Sequence, residues 1–319
     1  MAERVRAASQ ELRYRPSRVA RMLAGMRSTT IGMLVPDIQN PFFMEIVRGV
    51  ETVARNHGYL VILCSFMEDS RLERQYLGVL ATEPIAGVLL VPTRERLPAL
   101  RLFRERGIPV VAVDQRVRDD TIDAVLIDNV RAAREATAHL IANGYRRIAL
   151  ITGPEHTTTG RDRRAGYRLA LQEAGIAHDP EIDLSGKYAE EAGLRLANGL
   201  LDLAQPVEAI LSGNNRITMG ALQALHVRGR RVPDDVGLVG FDDLPWSAPG
   251  SVSLTTIVQP AFELGSAGAL RLVQRLQQDE VLARQETVLA HTLRVGDSSR
   301  RISGDRYLGI GMPVPTFLG

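Results

Sequence analysis

Polar and charged side chains recur immediately behind short apolar runs in this sequence. They are Asp37 with Asn40, Asp114 with Gln115, three threonines at 157–159 with Arg163, Asn214 with Asn215, and Asp242 with Asp243. Carboxylates, amides and a guanidinium can accept and donate paired hydrogen bonds to vicinal hydroxyls, while Phe42, Phe43 or Tyr188 can cover the apolar side of a small polar ring. That chemistry is recognition. No glycine-rich phosphate loop and no nucleophile elbow occurs, and the six histidines show no metal-ligand spacing, so no enzyme, metal or cofactor reading gains support. Each residue also has a structural reading. Asp37, Asp128 and Asp242 can cap helices or satisfy turn amides; Phe42 and Phe43 can belong to a core. Arg161 and Arg164 read as solvated, which leaves Arg163 as the arginine that faces a ligand.

The elements that must position these groups are legible from periodicity. Apolar runs at 31–35, 60–64, 87–91, 109–113, 124–127, 148–152, 209–212 and 236–241 read as strands. Their apolarity is continuous, without alternation, so both faces are covered, as in a parallel sheet flanked by helices. Between them, 43–57 places Phe43, Ile46, Val47, Val50, Val53 and Ala54 on one stripe, and similar stripes run through 72–82, 131–142, 162–174, 190–203, 215–228 and 261–278. Alternating strands and helices predict doubly wound α/β architecture. The strands are too many for one sheet of ordinary width, so the chain divides near 128–129. A return crossing falls at 253–259, the helix 261–278 sits back on the first lobe, and 286–290 adds a late strand to the second. In such sheets ligands bind beyond the carboxyl ends of the strands, where every polar group named above falls, so the two lobes are expected to share one cleft.

Composition sets the class. The 319 residues suffice for two domains, and 45% hydrophobic with 24% charged residues is ordinary for a soluble globular chain. No apolar run approaches the ~18 residues of a membrane span, and the N-terminus lacks the pattern of a signal peptide, so a cytoplasmic location and no membrane partner are expected. The single cysteine, Cys64, lies in an apolar run and reads as a buried thiol. The net charge of +2 says little, because Lys187 is the only lysine and the basic residues are otherwise arginine. Residues 1–28, however, hold seven arginines against two acids, a segment suited to phosphate or to plain solvation.

Together these residues match a known pattern. From residue 12 to about 300 the chain resembles LacI/GalR-type repressors, whose core has the fold of periplasmic sugar-binding proteins of type I. The resemblance is carried by Tyr14-Arg15-Pro16-Ser17 with Val19-Ala20-Arg21, by Ile31-Gly32 through Pro36-Asp37 to Asn40-Pro41-Phe42-Phe43, and by 125–129. It continues through Ala165-Gly166-Tyr167, Val232-Pro233-Asp234-Asp235-Val236, 239–243, and Leu254-Thr255-Thr256 with Gln259-Pro260. It implies that Phe42, Phe43, Asp114, Thr159, Arg163, Tyr188, Asn214 and Asp242 line an effector cleft, with Asn215 departing from the aspartate usual there. It divides the chain into a head remnant and hinge helix at 1–28, an N-terminal lobe from 29–128 and 258–280, a C-terminal lobe from 129–257 and 281–299, and an irregular tail at 300–319. In the hinge, Arg15, Ser17, Arg18, Ala20 and Arg21 would meet DNA, with Leu23 as a wedge opening a base step.

The resemblance places no major-groove helix pair within the sequence as given, so the chain as given is expected to bind DNA weakly or not at all. The resemblance implies a homodimeric, sugar-responsive repressor; a solute-binding protein for transport or chemoreception is the alternative. Deleting residues 1–28 should leave effector affinity unchanged, as measured by calorimetry.

Overall fold

A computed structural model describes residues 28–243, 252–278 and 283–301. The hinge positions Arg15, Ser17, Arg18, Ala20, Arg21 and Leu23, and the tail from 302, lie outside the described residues. The chain opens with β1 (Thr30–Val35), α1 (Pro41–Asn56), β2 (Leu60–Ser65), α2 (Ser70–Thr82), β3 (Gly87–Leu90), α3 (Leu100–Glu105), β4 (Val110–Val113) and β5 (Asp123–Ile127). It continues through α4 (Asn129–Ala142), β6 (Ile148–Thr152), α5 (Thr158–Glu173), β7 (Asp183–Ser185), α6 (Glu190–Leu201), β8 (Ala209–Ser212), α7 (Asn215–Val227), β9 (Gly237–Phe241) and β10 (Thr255–Val258). Last come α8 (Ala261–Gln277), β11 (Glu286–Leu289) and β12 (Thr292–Arg294).

These elements form two compact units. The first takes the chain up to Ile127 together with Pro260–Leu289; the second takes Asp128–Gln259 and the residues from Ala290 onward. The helix after β5 therefore belongs to the second unit, and the helix after β10 belongs to the first.

Each unit holds one six-stranded sheet, in the orders β11-β5-β4-β3-β1-β2 and β12-β10-β9-β8-β6-β7. Every strand pairing is parallel except β12 on β10. The late strand expected in the second sheet is in the first: β11 runs beside β5 with Glu286 opposite Ala124 and Leu289 opposite Ile127. A wholly buried β5 needs a neighbour on its open side, and strand pairing across 160 residues leaves no trace in local periodicity. The short strands β7 and β12, at the outer edges of the second sheet, were not marked by any apolar run.

Residues on β1, β3, β4, β5, β6, β8 and β9 are buried throughout. One face of the first sheet sends Leu34, Val88, Leu90, Ala112 and Leu126 into a core with Leu77, Leu80 and Phe103. The strand β2 departs from this pattern. As an edge strand it leaves Leu60 59% and Ile62 41% exposed, so continuous apolarity did not mean two covered faces there. Cys64, on the same strand, is half-buried rather than buried, and the desolvation it does suffer pushes its thiol pKa up.

Both units use a glycine to bring two helices into backbone contact. A Cβ on Gly49 of α1 would stand 2.1 Å from the Phe262 carbonyl of α8, and one on Gly166 of α5 would stand 2.1 Å from the Val130 carbonyl of α4. Only hydrogen fits such gaps.

Charge is anchored at the amino ends of the strands. Asp123, first residue of β5 and fully buried, accepts from Arg271 Nε at 2.8 Å, from Arg275 Nε at 2.7 Å and from the Gln285 amide at 2.7 Å. Burial pushes its carboxyl up, but the bonds from Arg275, Arg271 and Gln285 outweigh it and hold the group below the usual carboxylate range. Its pKa is lower folded than unfolded. The stability it contributes is therefore present above the ordinary carboxylate pKa and is lost as pH falls through the depressed value. Asp123→Ala strands two largely buried guanidiniums and should cost about 3–5 kcal/mol in urea unfolding, with the difference from the parent protein shrinking in acid.

Candidate functional site

At the carboxyl edge of the first sheet, the turn after β1 is built from side-chain caps. Asp37 Oδ1 accepts the Gln39 amide at 2.8 Å, and Asn40 Oδ1 accepts the Phe42 amide at 3.0 Å as the N-cap of α1. Capping fixes the two phenylalanines. Phe42 is buried, Phe43 is half-buried, and their rings meet edge to face at 5.3 Å. Two strands over, the chain leaves β4 through Asp114, which adopts the left-handed conformation at φ 67° while its amide donates to Val125 O at 2.9 Å. Asp114 and the following Gln115 are both buried, and Gln115 Oε1 has no hydrogen-bond partner among the described residues.

The same edge also holds an acid that sequence reasoning missed. Glu73, in the first turn of α2, is fully buried and accepts the Thr93 amide at 2.9 Å and the Thr93 hydroxyl at 2.5 Å. Burial pushes its carboxyl pKa up despite those two bonds. It locks the loop after β3.

The second unit repeats this plan with a different charge set. Thr157 caps α5, its Oγ1 accepting the Gly160 amide at 3.1 Å, and this sends Thr159 and Arg163 along one side of the helix. Thr159 Oγ1 lies 2.9 Å from Tyr188 Oη. The Tyr188 ring covers Gly153, where an added Cβ would stand 2.0 Å from Cζ. Asn214 proves to be the N-cap of α7, its Oδ1 accepting the Ile217 amide at 2.8 Å.

Arg163 and Asp242 form the centre of this edge. Arg163 is 3% exposed. Its Nε donates to Asn129 Oδ1 at 2.7 Å, Nη1 donates to Gly213 O, and Cζ sits 4.2 Å from the centroid of the Phe241 ring. Asp242 leaves β9 as Asp114 leaves β4, at φ 68° with its amide donating to Ile257 O at 2.8 Å. Gln259 Nε2 donates to Asp242 Oδ1 at 2.6 Å, and Thr256 Oγ1 to its carbonyl at 2.7 Å. Burial pushes the Asp242 carboxyl up; the Arg163 charge, the Gln259 bond and the Asn215 amide oppose that rise without cancelling it.

Of the eight positions singled out for a ligand, the structure thus places Phe42, Phe43 and Asp114 at the edge of the first sheet and Thr159, Arg163, Tyr188, Asn214 and Asp242 at the edge of the second. Arg164, expected in solvent, is buried instead, with Nε donating to Asp183 Oδ1 at 2.8 Å and a second bond to Glu155. Asn129 and Gln259 were not named among the strand-end polar groups, and Gln115, named beside Asp114, is not one of the eight. The signal available was a polar residue directly behind an apolar run, and Asn129 was hidden by the aspartate before it.

Chemically the two edges are rich in acceptors. Gln115 Oε1, Gln259 Oε1 and Thr152 Oγ1 are buried without a partner among the described residues, and each such atom costs about 1–3 kcal/mol until a donor meets it. Among the described residues no group of three or more His, Cys, Asp or Glu side chains is placed to hold a metal ion. A serine–histidine pair does occur, with His139 Nε2 2.8 Å from Ser299 Oγ. Ser299 is fully buried, and its Oγ lies 2.6 Å from the hydroxyl of Thr255, first residue of β10, so the pair closes the opposite end of the sheet.

A family model described as periplasmic binding proteins and sugar binding domain of the LacI family matches residues 28–292. The ribose operon repressor of Halalkalibacterium halodurans is 37% identical over 276 residues, which is 86% of this chain and 81% of that protein. Among solved structures, the complex of the transcriptional regulator CelR with cellobiose has a TM-score of 0.79 at 31% identity, covering 93% of this chain and 90% of that one. A LacI family transcriptional regulator from Enterococcus faecium with bound ribose has a TM-score of 0.76 at 29% identity, covering 86% and 100%.

The contact of Tyr188 with Gly153 makes a coupled pair. Gly153→Ala should displace the ring, break its bond to Thr159 and cost about 1–3 kcal/mol. In a double-mutant cycle with Tyr188→Ala the added methyl should become nearly harmless, a non-additivity readable from thermal unfolding.

Proposed function

The chain belongs to the family of periplasmic binding proteins and LacI-type sugar-binding domains, and from that premise we propose that it is the effector-binding body of a transcriptional repressor that answers to a small neutral sugar. The observation that carries this reading is the excess of buried acceptors at both carboxyl edges, Gln115 Oε1 in one unit, Thr152 Oγ1 and Gln259 Oε1 in the other. Sugar hydroxyls are the donors those atoms lack. A phosphorylated sugar suits the site less well, because the one buried guanidinium of the pair, Arg163, already has Asp242 as its counter-charge. Phe42, Phe43, Asp114, Thr159, Arg163, Tyr188, Asn214 and Asp242 make up the proposed effector site.

A ligand that binds one state of a protein more tightly than another shifts the balance between them, which is the free-energy coupling a repressor requires. DNA contact is assigned to Arg15, Ser17, Arg18, Ala20, Arg21 and Leu23, and the protein acts in the cytoplasm as a homodimer. The exposed apolar residues Leu60, Ile62 and Leu63 of the β2 edge support pairing with a second copy. Names and ligands of the relatives support the rest: one is a ribose operon repressor, and two solved regulators hold cellobiose and ribose.

Thermal shift and calorimetry with D-ribose, cellobiose and ribose 5-phosphate test this. A neutral sugar at 100 times its Kd should add about 2.7 kcal/mol of stability, with no response to the phosphate ester. Stabilisation by the ester alone would overturn the reading. Burial raises the Asp242 pKa, so its carboxylate is protonated at a higher pH than an exposed one. Sugar affinity should therefore fall in mildly acidic buffer. Asp242→Asn should weaken binding about 10- to 100-fold and flatten that pH dependence.

A further inference from the structure

After β12 the chain runs across the amino ends of the second sheet, and residues 296–301 are tied down there by several segments. The Gly296 amide donates to Thr255 Oγ1 at 2.9 Å, and a Cβ at 296 would stand 2.4 Å from the Ser253 carbonyl, so only glycine passes. The Asp297 amide donates to Ser253 Oγ at 2.9 Å and the Ser298 amide to Ser253 O at 3.0 Å. Ser298 Oγ accepts the Thr255 amide at 2.8 Å and donates to Leu238 O at 2.6 Å. Arg301 ends the run. Its guanidinium donates to Gly144 O and to Glu208 Oε1, with Cζ 5.4 Å from the centroid of the Tyr145 ring. This short run thus connects the starts of β9 and β10, the turn after α4 and the residue that precedes β8.

His139, in the last turn of α4, supplies the part of this network that titrates in mild acid. Its Nε2 lies 2.8 Å from Ser299 Oγ and 3.4 Å from Asn143 Nδ2, and that Nδ2 also donates to the His139 carbonyl at 2.8 Å. Ser299 is fully buried and has Thr255 Oγ1 at 2.6 Å on its other side. Nε2 therefore faces two donors and serves as their acceptor; a proton placed on it removes the acceptor and sets N–H against N–H.

Burial lowers the His139 pKa. The charged groups around it are engaged elsewhere: Asp297 with Arg300 at 3.0 Å, Glu135, one turn back on α4, with His291 at 3.0 Å, and Arg146 on the Ile141 carbonyl at 3.4 Å. A histidine whose pKa is lower folded than unfolded stabilises the fold above its ordinary value of about 6.5 and loses that contribution as pH falls below it. At the other end of the run, burial pushes the Glu208 carboxyl up, but the bonds from the Arg146 and Arg147 amides and from Arg301 outweigh it and hold the group below the usual carboxylate range. The Arg301 anchor therefore keeps its charge partner in mild acid.

We propose that residues 296–301 are a strap closed over the amino ends of the second sheet and that neutral His139 is its catch, so that mild acid opens the strap locally while the sheet beneath stays folded. Opening starts at Ser299, where the acceptor is lost, and not at Arg301. Local opening of this kind costs less free energy than unfolding the whole unit. The device is independent of the sugar site, which stands at the opposite ends of the strands.

Hydrogen exchange on the full chain at about pH 7.5 and about pH 5.5, either side of the ordinary histidine value and corrected for the intrinsic effect of pH, tests this. Protection of the amides of 296–298 and of Thr255 should fall about tenfold at the lower pH, with the amides of Ile148–Thr152 in β6 unchanged. His139→Gln keeps an acceptor that does not titrate and should hold the protection at both pH values. Ser299→Ala removes the hydroxyl and leaves the imidazole, and should show near neutrality the low protection that the parent shows only in acid. Equal protection of the parent at both pH values, or a pH dependence that persists in His139→Gln, overturns the proposal. A loss that spreads to β6 marks general acid unfolding and overturns it as well. If His139→Gln does not fold, Ser299→Ala decides: protection near neutrality equal to the parent's sinks the catch.

Discussion

A guanidinium taken out of water must be met on its donors and balanced in charge, and much of the second unit is arranged to do that for Arg163. Its Nε goes to Asn129, its Nη1 to the Gly213 carbonyl, its flat face to Phe241 and its charge to Asp242. The partners come from three segments: the first crossover, the loop after β8, and the end of β9 with the residue beyond it. The cation therefore ties those segments together, since losing any partner leaves an expensive buried charge. The threonine cap of α5, which aims the arginine inward, and the asparagine cap of α7, which frees the Asn215 amide for Asp242, serve that one requirement.

The opposite ends of the sheets solve a different problem. Asp123 at the start of β5 and Asp183 at the start of β7 are both buried and saturated, the first by Arg271, Arg275 and the Gln285 amide, the second by Arg164, Arg168 and His178. Charge at the amino ends is fully answered from within. At the carboxyl ends acceptors are left over.

The two units also share a device. Asp114 and Asp242 leave equivalent strands at nearly the same positive φ, and each donates its amide to the neighbouring strand. A left-handed residue other than glycine is uncommon, and aspartate tolerates it better than most. Here it turns the chain sharply at the strand end, in the row where the other polar groups stand. Neither the equivalence of the units nor this turn was legible from spacing, because the two halves share a fold plan and little local sequence pattern.

Periodicity and residue type by themselves determined the strands that lie in sheet interiors, the amphipathic helices, the division into two α/β bodies near residue 128 and the row of polar residues behind the apolar runs. These follow from local geometry: a strand covered on both faces must be apolar throughout, and a polar group has to wait for the end of the run. Tertiary structure alone decided that β11 joins the first sheet, that β2 has an exposed edge, that Arg164 is buried on Asp183 while Arg163 is bonded to Asn129 and Gly213, and that Gln259 is bonded to Asp242. In each of those cases the partner lies far off in sequence or in another loop. Hydrogen bonds and strand pairings between distant segments are fixed by where the whole chain packs, and no short window of sequence contains that information.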